Sequence, residues 1–226
     1  MKLFQLASLI LLSAALCSAG EAPPKDPAAA EPAPVTEKDP AAPTPVDEVD
    51  DGIAPPPPDI FAATKGGNLE YVKKFIEADP ALVNARTRLK DTPLHWAVSC
   101  DHNEIVKYLI SKGAAVSEKN ISGKTPLHLA TGRSRKELMK ILLEAKCDVN
   151  ATADGEDEEA SGETPLHIAA HRCKIDILEL LLEYKADVNI KTKGGVTAIE
   201  IAKKRDRTDL VKLLARHGGK LAPDEE

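Results

Sequence analysis

Aromatic side chains are scarce in this sequence: one Trp, three Tyr and three Phe among 226 residues, 3% of the chain. Proteins that hold single-stranded nucleic acid stack its bases on aromatic rings along a basic groove. A chain this poor in rings lacks the platforms, so nucleic acid is excluded as a partner. Long apolar runs are missing too. The longest, Leu3 to Leu16, spans fourteen residues broken by Gln5, Ser8 and Ser13. A helix needs roughly 20 residues to cross ~30 Å of hydrocarbon, so no stable transmembrane anchor is expected. A glycine-rich phosphate loop is also absent, because GKTPLH at Gly123 lacks the preceding GxxxxG. Neither HExxH nor a nucleophile elbow occurs. These absences point away from an enzyme, from a cofactor and from a metal.

What is present begins with a leader. Met1 and Lys2 precede the apolar run, and the small residues Cys17, Ser18, Ala19 and Gly20 follow it. This is the pattern of a secretory signal peptide over residues 1–19, cleaved after Ala19. It predicts a protein exported to the periplasm or secreted beyond it. The alternative is a lipoprotein anchored at Cys17, against which stands Leu16, where lipoprotein signals carry a small residue. Residues 20–58 hold 12 of the 17 prolines among Ala, Glu and Asp, with almost no large apolar side chain to bury. They predict a disordered, semi-rigid linker that sets the remainder off from a surface.

Charge divides at the same boundary. From Glu21 to Asp59 there are ten acids and two bases; from Ile60 onward there are 27 bases and 26 acids. Eight of those 26 acids sit in the run from Asp154 to Glu159 and in the tail from Asp224 to Glu226, leaving a basic body. Such a body suits an acidic partner; the plainer alternative is ordinary solvated charge spread over the surface.

The body repeats. DTPLHWAVSCDHNEIVKYLI from Asp91, KTPLHLATGRSRKELMKILL from Lys124 and ETPLHIAAHRCKIDILELLL from Glu163 align without gaps, and VTAIEIAKKRDRTDLVKLLA from Val196 keeps the apolar pattern. The threonines at 92, 125, 164 and 197 are spaced by 33, 39 and 33 residues, and a diverged copy starts at Asp59. Proline after Thr opens a helix at little cost because its φ is preset and it needs no acceptor, while Thr caps that helix. Ile105, Val106, Leu109 and Ile110, then Leu138, Ile141 and Leu142, recur at helical spacing as the buried stripe of a second helix.

The 33-residue period with TPLH, and DVN at Asp148 to Asn150 and Asp187 to Asn189, resembles the ankyrin repeat. The resemblance covers residues 59–220 and implies an all-α solenoid of about five helix-turn-helix units with short hairpin-like loops: 59–91, 92–124, 125–163, 164–196 and 197–220. The first and last units, which lack TPLH, suit caps, and residues 221–226 form an acidic tail. No unit buries its stripe alone, so stacking supplies the core. Gly113 and Gly218 suit a left-handed turn after the second helix; Lys146 and Lys185 hold that place in the third and fourth units at a cost on the order of 1 kcal/mol. The acidic run falls at the third hairpin tip, between the third and fourth units, and is expected to project as a loop.

Chemistry-bearing residues have structural explanations in this pattern. The resemblance assigns His95, His128, His167 and His102 to hydrogen bonds that tie neighbouring units, and repeat spacing is too wide for a shared zinc ion with ligands at ~2.1 Å. Once the leader is removed, Cys100, Cys147 and Cys173 remain. Their places in different units predict free thiols, an intermolecular disulfide being the alternative. Trp96 stands where later copies have Leu129, Ile168 and Ile201, and a core position is expected for it.

The resemblance places partner contacts at the two residues following the small pair of each first helix and at the hairpin tips. Carried onto this chain, the helix positions are Lys65, Ser99, Arg133, His171, Arg172, Lys204 and Arg205, and the tips supply Arg88, Ile121 and Lys193. A row of cations facing an acidic or phosphorylated protein segment is expected, the chain itself a monomer. The acidic linker is a second candidate occupant of that row. The alternative function is a regulatory or inhibitory subunit of an exported enzyme.

Overall fold

Each threonine of the repeat opens a helix. Thr92, Thr125, Thr164 and Thr197 all take extended backbone, and Pro93, Pro126 and Pro165 occupy the first helical position after three of them. The computed structural model describes residues 59–154 and 161–221. The leader, the linker, most of the acidic run and the acidic tail lie outside the described residues. The chain divides into two units, Met1–Asp51 and Gly52–Glu226, and every described residue belongs to the second.

Ten α-helices run in pairs among the described residues: α1 (Ile60–Lys65) with α2 (Leu69–Ala78), α3 (Pro93–Ser99) with α4 (Asn103–Ser111), α5 (Pro126–Gly132) with α6 (Lys136–Glu144), α7 (Pro165–His171) with α8 (Ile175–Glu183), and α9 (Ala198–Lys204) with α10 (Thr208–Arg216). A 3-10 turn, Pro80–Asn84, follows α2. The helices are too short to persist alone, so packing must hold them. The even-numbered helices bury one stripe each: Ile105, Val106 and Leu109 on α4; Leu138, Met139, Leu142 and Leu143 on α6; Ile177, Leu178, Leu180, Leu181 and Leu182 on α8. The end helices bury fewer, Val72 and Ile76 on α2, Leu210 and Leu214 on α10. Each fully buried Leu or Ile contributes about 1.5–3 kcal/mol, so the middle of the stack carries most of the stabilisation.

Odd-numbered helices pack closely in succession, α1 on α3, α3 on α5, α5 on α7 and α7 on α9, while even-numbered neighbours touch less. The stack therefore curves toward the odd-numbered layer, which is its inner face. Polar ladders lock the units in register. His95, His128 and His167 are each 1% exposed. In all three, Nδ1 accepts the amide of its own capping threonine at 3.1–3.2 Å. Nε2 therefore carries the proton, and it donates to the carbonyl of Lys124, Glu163 or Val196 in the next unit at 3.1–3.2 Å. A second ladder runs through the turns after the even helices: Asn84 Oδ1 accepts from Ala115, Ser117 Oγ from Asp148, Asn150 Oδ1 from Asp187 and Asn189 Oδ1 from Lys220, at 2.9–3.1 Å.

Among the described residues no unit follows α9 and α10 for a histidine to reach. Glu200 stands in that register, and its Oε2 accepts the Thr197 amide at 2.7 Å, keeping the cap.

Left-handed backbone appears at the expected glycines, with φ 86° at Gly113 and 88° at Gly218, and at Lys146 and Lys185 with φ 58° and 63°. It also appears where the sequence gave no warning. Asp101, Ser134, Cys173 and Asp206, in the turns between paired helices, have φ of 53–66°, in the register of Gly67 at 75°.

Candidate functional site

The inner face is built from two tracks along the odd-numbered helices. The first holds Trp96, Leu129 and Ile168, all half-buried, and Ile201, 4% exposed. Trp96 is thus not in the core as its register suggested. Its ring lies partly open on the inner face with the Lys65 ammonium 5.6 Å from the ring centre, a cation-π contact. The indole N–H is itself covered, with no acceptor among the described residues.

One turn further along lie the candidate cations. Lys65, Ser99, Gly132, His171 and Lys204 end α1, α3, α5, α7 and α9, and Gly66, Cys100, Arg133, Arg172 and Arg205 cap them. Cations suit this place because the last helical carbonyls carry partial negative charge. The structure divides the arginines by what precedes them in the stack. Arg133 donates from Nη1 to the carbonyl of Ser99. Arg205 donates from Nη2 to Nδ1 of His171 at 3.4 Å, and the other nitrogen of that ring, Nε2, donates to Glu163 Oε1 at 3.2 Å. The residue equivalent to Ser99 and His171 one unit below Arg172 is Gly132, which has no side chain to offer. Arg172 is exposed and, like the exposed Lys204, makes no ion pair among the described residues.

A second line of polar groups caps the even-numbered helices: His102, which the resemblance assigned to ties between units, and Arg135 and Arg207, which the sequence reading passed over. His102 donates from Nε2 to the Lys65 carbonyl at 3.1 Å, Arg135 pairs with Asp101 at 2.8 Å, and Arg207 reaches the Cys173 carbonyl at 3.2 Å. Arg207 also holds Asp209 by two hydrogen bonds at 3.0 and 2.7 Å, which pull that carboxyl down to about 2. These groups fasten each unit to the one before it. Their signal was available in the sequence as a base or His at the start of each second helix.

The predicted tip residues gather on the other edge. Arg88, Ile121 and Lys193 are exposed, and Leu89 and Ile121 are each 55% exposed on adjacent tips, joined by Ile121 N–H donating to the Leu89 carbonyl at 2.8 Å. An open cleft of about 740 Å³ lies beside them, lined by Arg86, Lys90, Lys119, Gly123 and Asp154 among others. It is a wide hairpin-side hollow, and the cations of the inner helices do not line it. Asp154, the first residue of the acidic run, lies in its lining. Ala153 and Glu163 pair across the base, Ala153 N–H donating to Glu163 O at 2.8 Å, and Lys119 holds Asp154 at 3.1 Å.

The groups capable of chemistry are occupied or inert. Burial drives His128 down from the ordinary 6.5 to about 4 and lowers His95 and His167 as well, so all three are neutral. Cys100, Cys147 and Cys173 are free thiols, and burial pushes Cys147 up to about 12. Among the described residues, no three His, Cys, Asp or Glu side chains are placed to hold a metal ion. No helix among them is long and apolar enough to cross a membrane.

A family model described as ankyrin repeats (3 copies) matches residues 60–153 and 151–223. The chain is 45% identical over 62 residues to alpha-latrocrustotoxin-Lt1a of Latrodectus tredecimguttatus, 27% of this chain and 4% of that protein. It is 40% identical over 57 residues to the 26S proteasome non-ATPase regulatory subunit 10 of Homo sapiens, 25% of each. To BRCA1-associated RING domain protein 1 of Caenorhabditis elegans it is 39% identical over 75 residues, 33% of this chain and 10% of that one. The matches thus span a quarter or less of these relatives' lengths. Helix pairs capped by TPLH, histidines bonded from unit to unit and a family match over most of the chain agree: this protein belongs to the ankyrin-repeat family of protein–protein interaction modules.

Proposed function

We propose that the chain is an exported, non-enzymatic binding module that takes an acidic segment of a protein partner along its inner face. One observation carries this reading. Arg133, Arg172 and Arg205 stand exposed in the same register of three consecutive units, with Lys204 beside the last. A row of guanidinium groups at a regular interval matches an extended acidic chain, since each carboxylate takes two parallel N–H donors from one fork. Trp96, Leu129 and Ile168 offer apolar contacts beside it, so a segment with interspersed apolar residues fits better than polyacid. Export rests on the sequence of residues 1–19. A non-enzymatic role is supported by the engagement of His95, His128 and His167 in caps. The test is charge reversal of Arg133, Arg172 and Arg205 to Glu: binding of an acidic peptide is lost by a hundredfold or more while thermal unfolding moves little. Undiminished binding sinks the proposal.

The second reading, a regulatory subunit, draws on the likeness to a protein named as one, the proteasome regulatory subunit 10. It uses the same face and differs only in what the partner does once held.

A further inference from the structure

The inner-face cations are not equivalent, and their differences point to one location between the fourth and fifth units. Arg133 is bonded to a helix-end carbonyl, whose partial negative charge offsets part of its own. Arg205 lies against a ring nitrogen instead, its Nη2 3.4 Å from His171 Nδ1. Glu163 Oε1 stands 3.2 Å from the other nitrogen of that ring. The chain Glu163–His171–Arg205 therefore restricts where the guanidinium points. Arg172 follows His171 directly and, with Gly132 beneath it, has no side chain to lean on. Lys204 adjoins Arg205 and is likewise exposed. Two guanidinium groups and an ammonium thus stand exposed at corresponding helix ends of adjacent units, none of them in an ion pair among the described residues and one of them positioned in advance. Asp206, the acid in this turn, is exposed and pairs with none of the three cations among the described residues.

We infer that Arg172, Lys204 and Arg205 form a subsite for a tetrahedral oxyanion ester, phosphoryl or sulfuryl, on a side chain of the partner. This rests on the reading of the inner face given above and sharpens it. A planar carboxylate presents two oxygens and saturates one arginine fork. A phosphoryl or sulfuryl ester presents three terminal oxygens on a tetrahedron, enough for two forks and an ammonium together. A fixed guanidinium also loses less freedom on binding than a mobile one, which favours the ligand that uses it fully. The half-buried Ile168 alongside receives the ring of a modified tyrosine. A location on the inner face of a curved stack suits a protein segment and excludes a flat membrane.

The experiment uses the full mature chain and one acidic peptide carrying, at a single position, tyrosine, phosphotyrosine, sulfotyrosine or 4-carboxyphenylalanine. Calorimetry is expected to show at least one ester binding tenfold or more tightly than the carboxylate, with phosphotyrosine ahead of sulfotyrosine if charge governs and the two equal if shape does. Arg172→Gln and Arg205→Gln remove the preference. His171→Ala reduces it, and unaltered thermal unfolding shows that the variants fold. Equal binding of ester and carboxylate peptides overturns this inference and leaves acidic-segment binding standing. Failure of all four peptides to bind overturns both. Arg172-dependent binding to phosphatidate vesicles without any ester preference among the peptides overturns the assignment to a protein partner.

Discussion

A histidine that caps one unit and donates to the next must keep Nδ1 free of a proton, and burial enforces this. His128 titrates at about 4 in the folded chain against 6.5 for an exposed imidazole, and His95 and His167 are shifted the same way, all by desolvation. Because the folded values lie below the unfolded one, the unfolded chain takes up protons first as pH falls. Stability is therefore level above pH 6.5 and declines between 6.5 and about 4, His128 alone accounting for about 3 kcal/mol of the loss. Asp209, held near 2 by Arg207, loses its contribution mainly below that window, where the unfolded carboxyl takes up its proton first, and being exposed it adds little to the slope. Urea unfolding at pH 7, 5.5 and 4.5 is expected to show this slope, and His128→Gln to start less stable at pH 7 but fall more gently; equal slopes would refute the assignment. Backbone strain makes a second residue-scale prediction. Lys146→Gly relieves a φ of 58° and gains about 1 kcal/mol in the same assay. Gly123→Ala does the reverse and by more: φ is 69°, and a Cβ there meets the Asp154 amide nitrogen at 2.1 Å, so the base of the insertion must move. A loss of about 3 kcal/mol or more is expected, and a loss below 1 would show that the base is free to shift.

At the scale of the element, each helix pair depends on its neighbours, and the ends have only one. α2 and α10 each bury two large side chains where α6 and α8 bury four and five. Amide exchange is thus expected to be fastest in α10 and α2 and slowest in α6 and α8, with Leu181→Ala in α8 costing about 2–5 kcal/mol. Uniform exchange across all four helices would mean that the stack opens only as a whole. Helix starts were legible in the sequence because Thr-Pro is a chemical instruction, and so were the buried stripes, because 3.6-residue spacing has one physical cause. The interhelical turns were not. Asp101, Ser134, Cys173 and Asp206 share one left-handed conformation but no side-chain chemistry, so nothing in their identity announces it. The candidate face was legible as a register of Arg133, Arg172 and Arg205. Which arginine is engaged was hidden, since it depends on contacts made 34 to 40 positions earlier: Arg133 meets the backbone carbonyl of Ser99, Arg205 meets the ring of His171, and Arg172 has only the side-chain-less Gly132 in that register. Trp96 misled for a related reason: its register, shared with the equally half-buried Leu129 and Ile168, lies on the partly open inner face and not in the core.

The whole molecule sets a basic repeat body against an acidic N-terminal segment, ten acids and two bases between Glu21 and Asp59. A charged segment joined to its target has an effective concentration in the millimolar range, so even weak attraction to the inner-face cations competes with an incoming acidic peptide. The repeat stack starts at Ile60 with its own cap, Asp59, whose carboxylate accepts the Ala62 amide at 2.7 Å, so a chain beginning at Asp59 retains the first helix intact. That shortened chain is expected to bind an acidic peptide several-fold more tightly than the chain beginning at Gly20 when salt is low. The difference is electrostatic and must shrink as the screening length falls from about 10 Å at 0.1 M to about 3 Å at 1 M salt. Titration of both chains across that range separates the possibilities. Converging affinities identify the segment as a competitor for the partner's site, whereas identical affinities at every salt concentration make it a spacer and leave the inner face open to the partner alone.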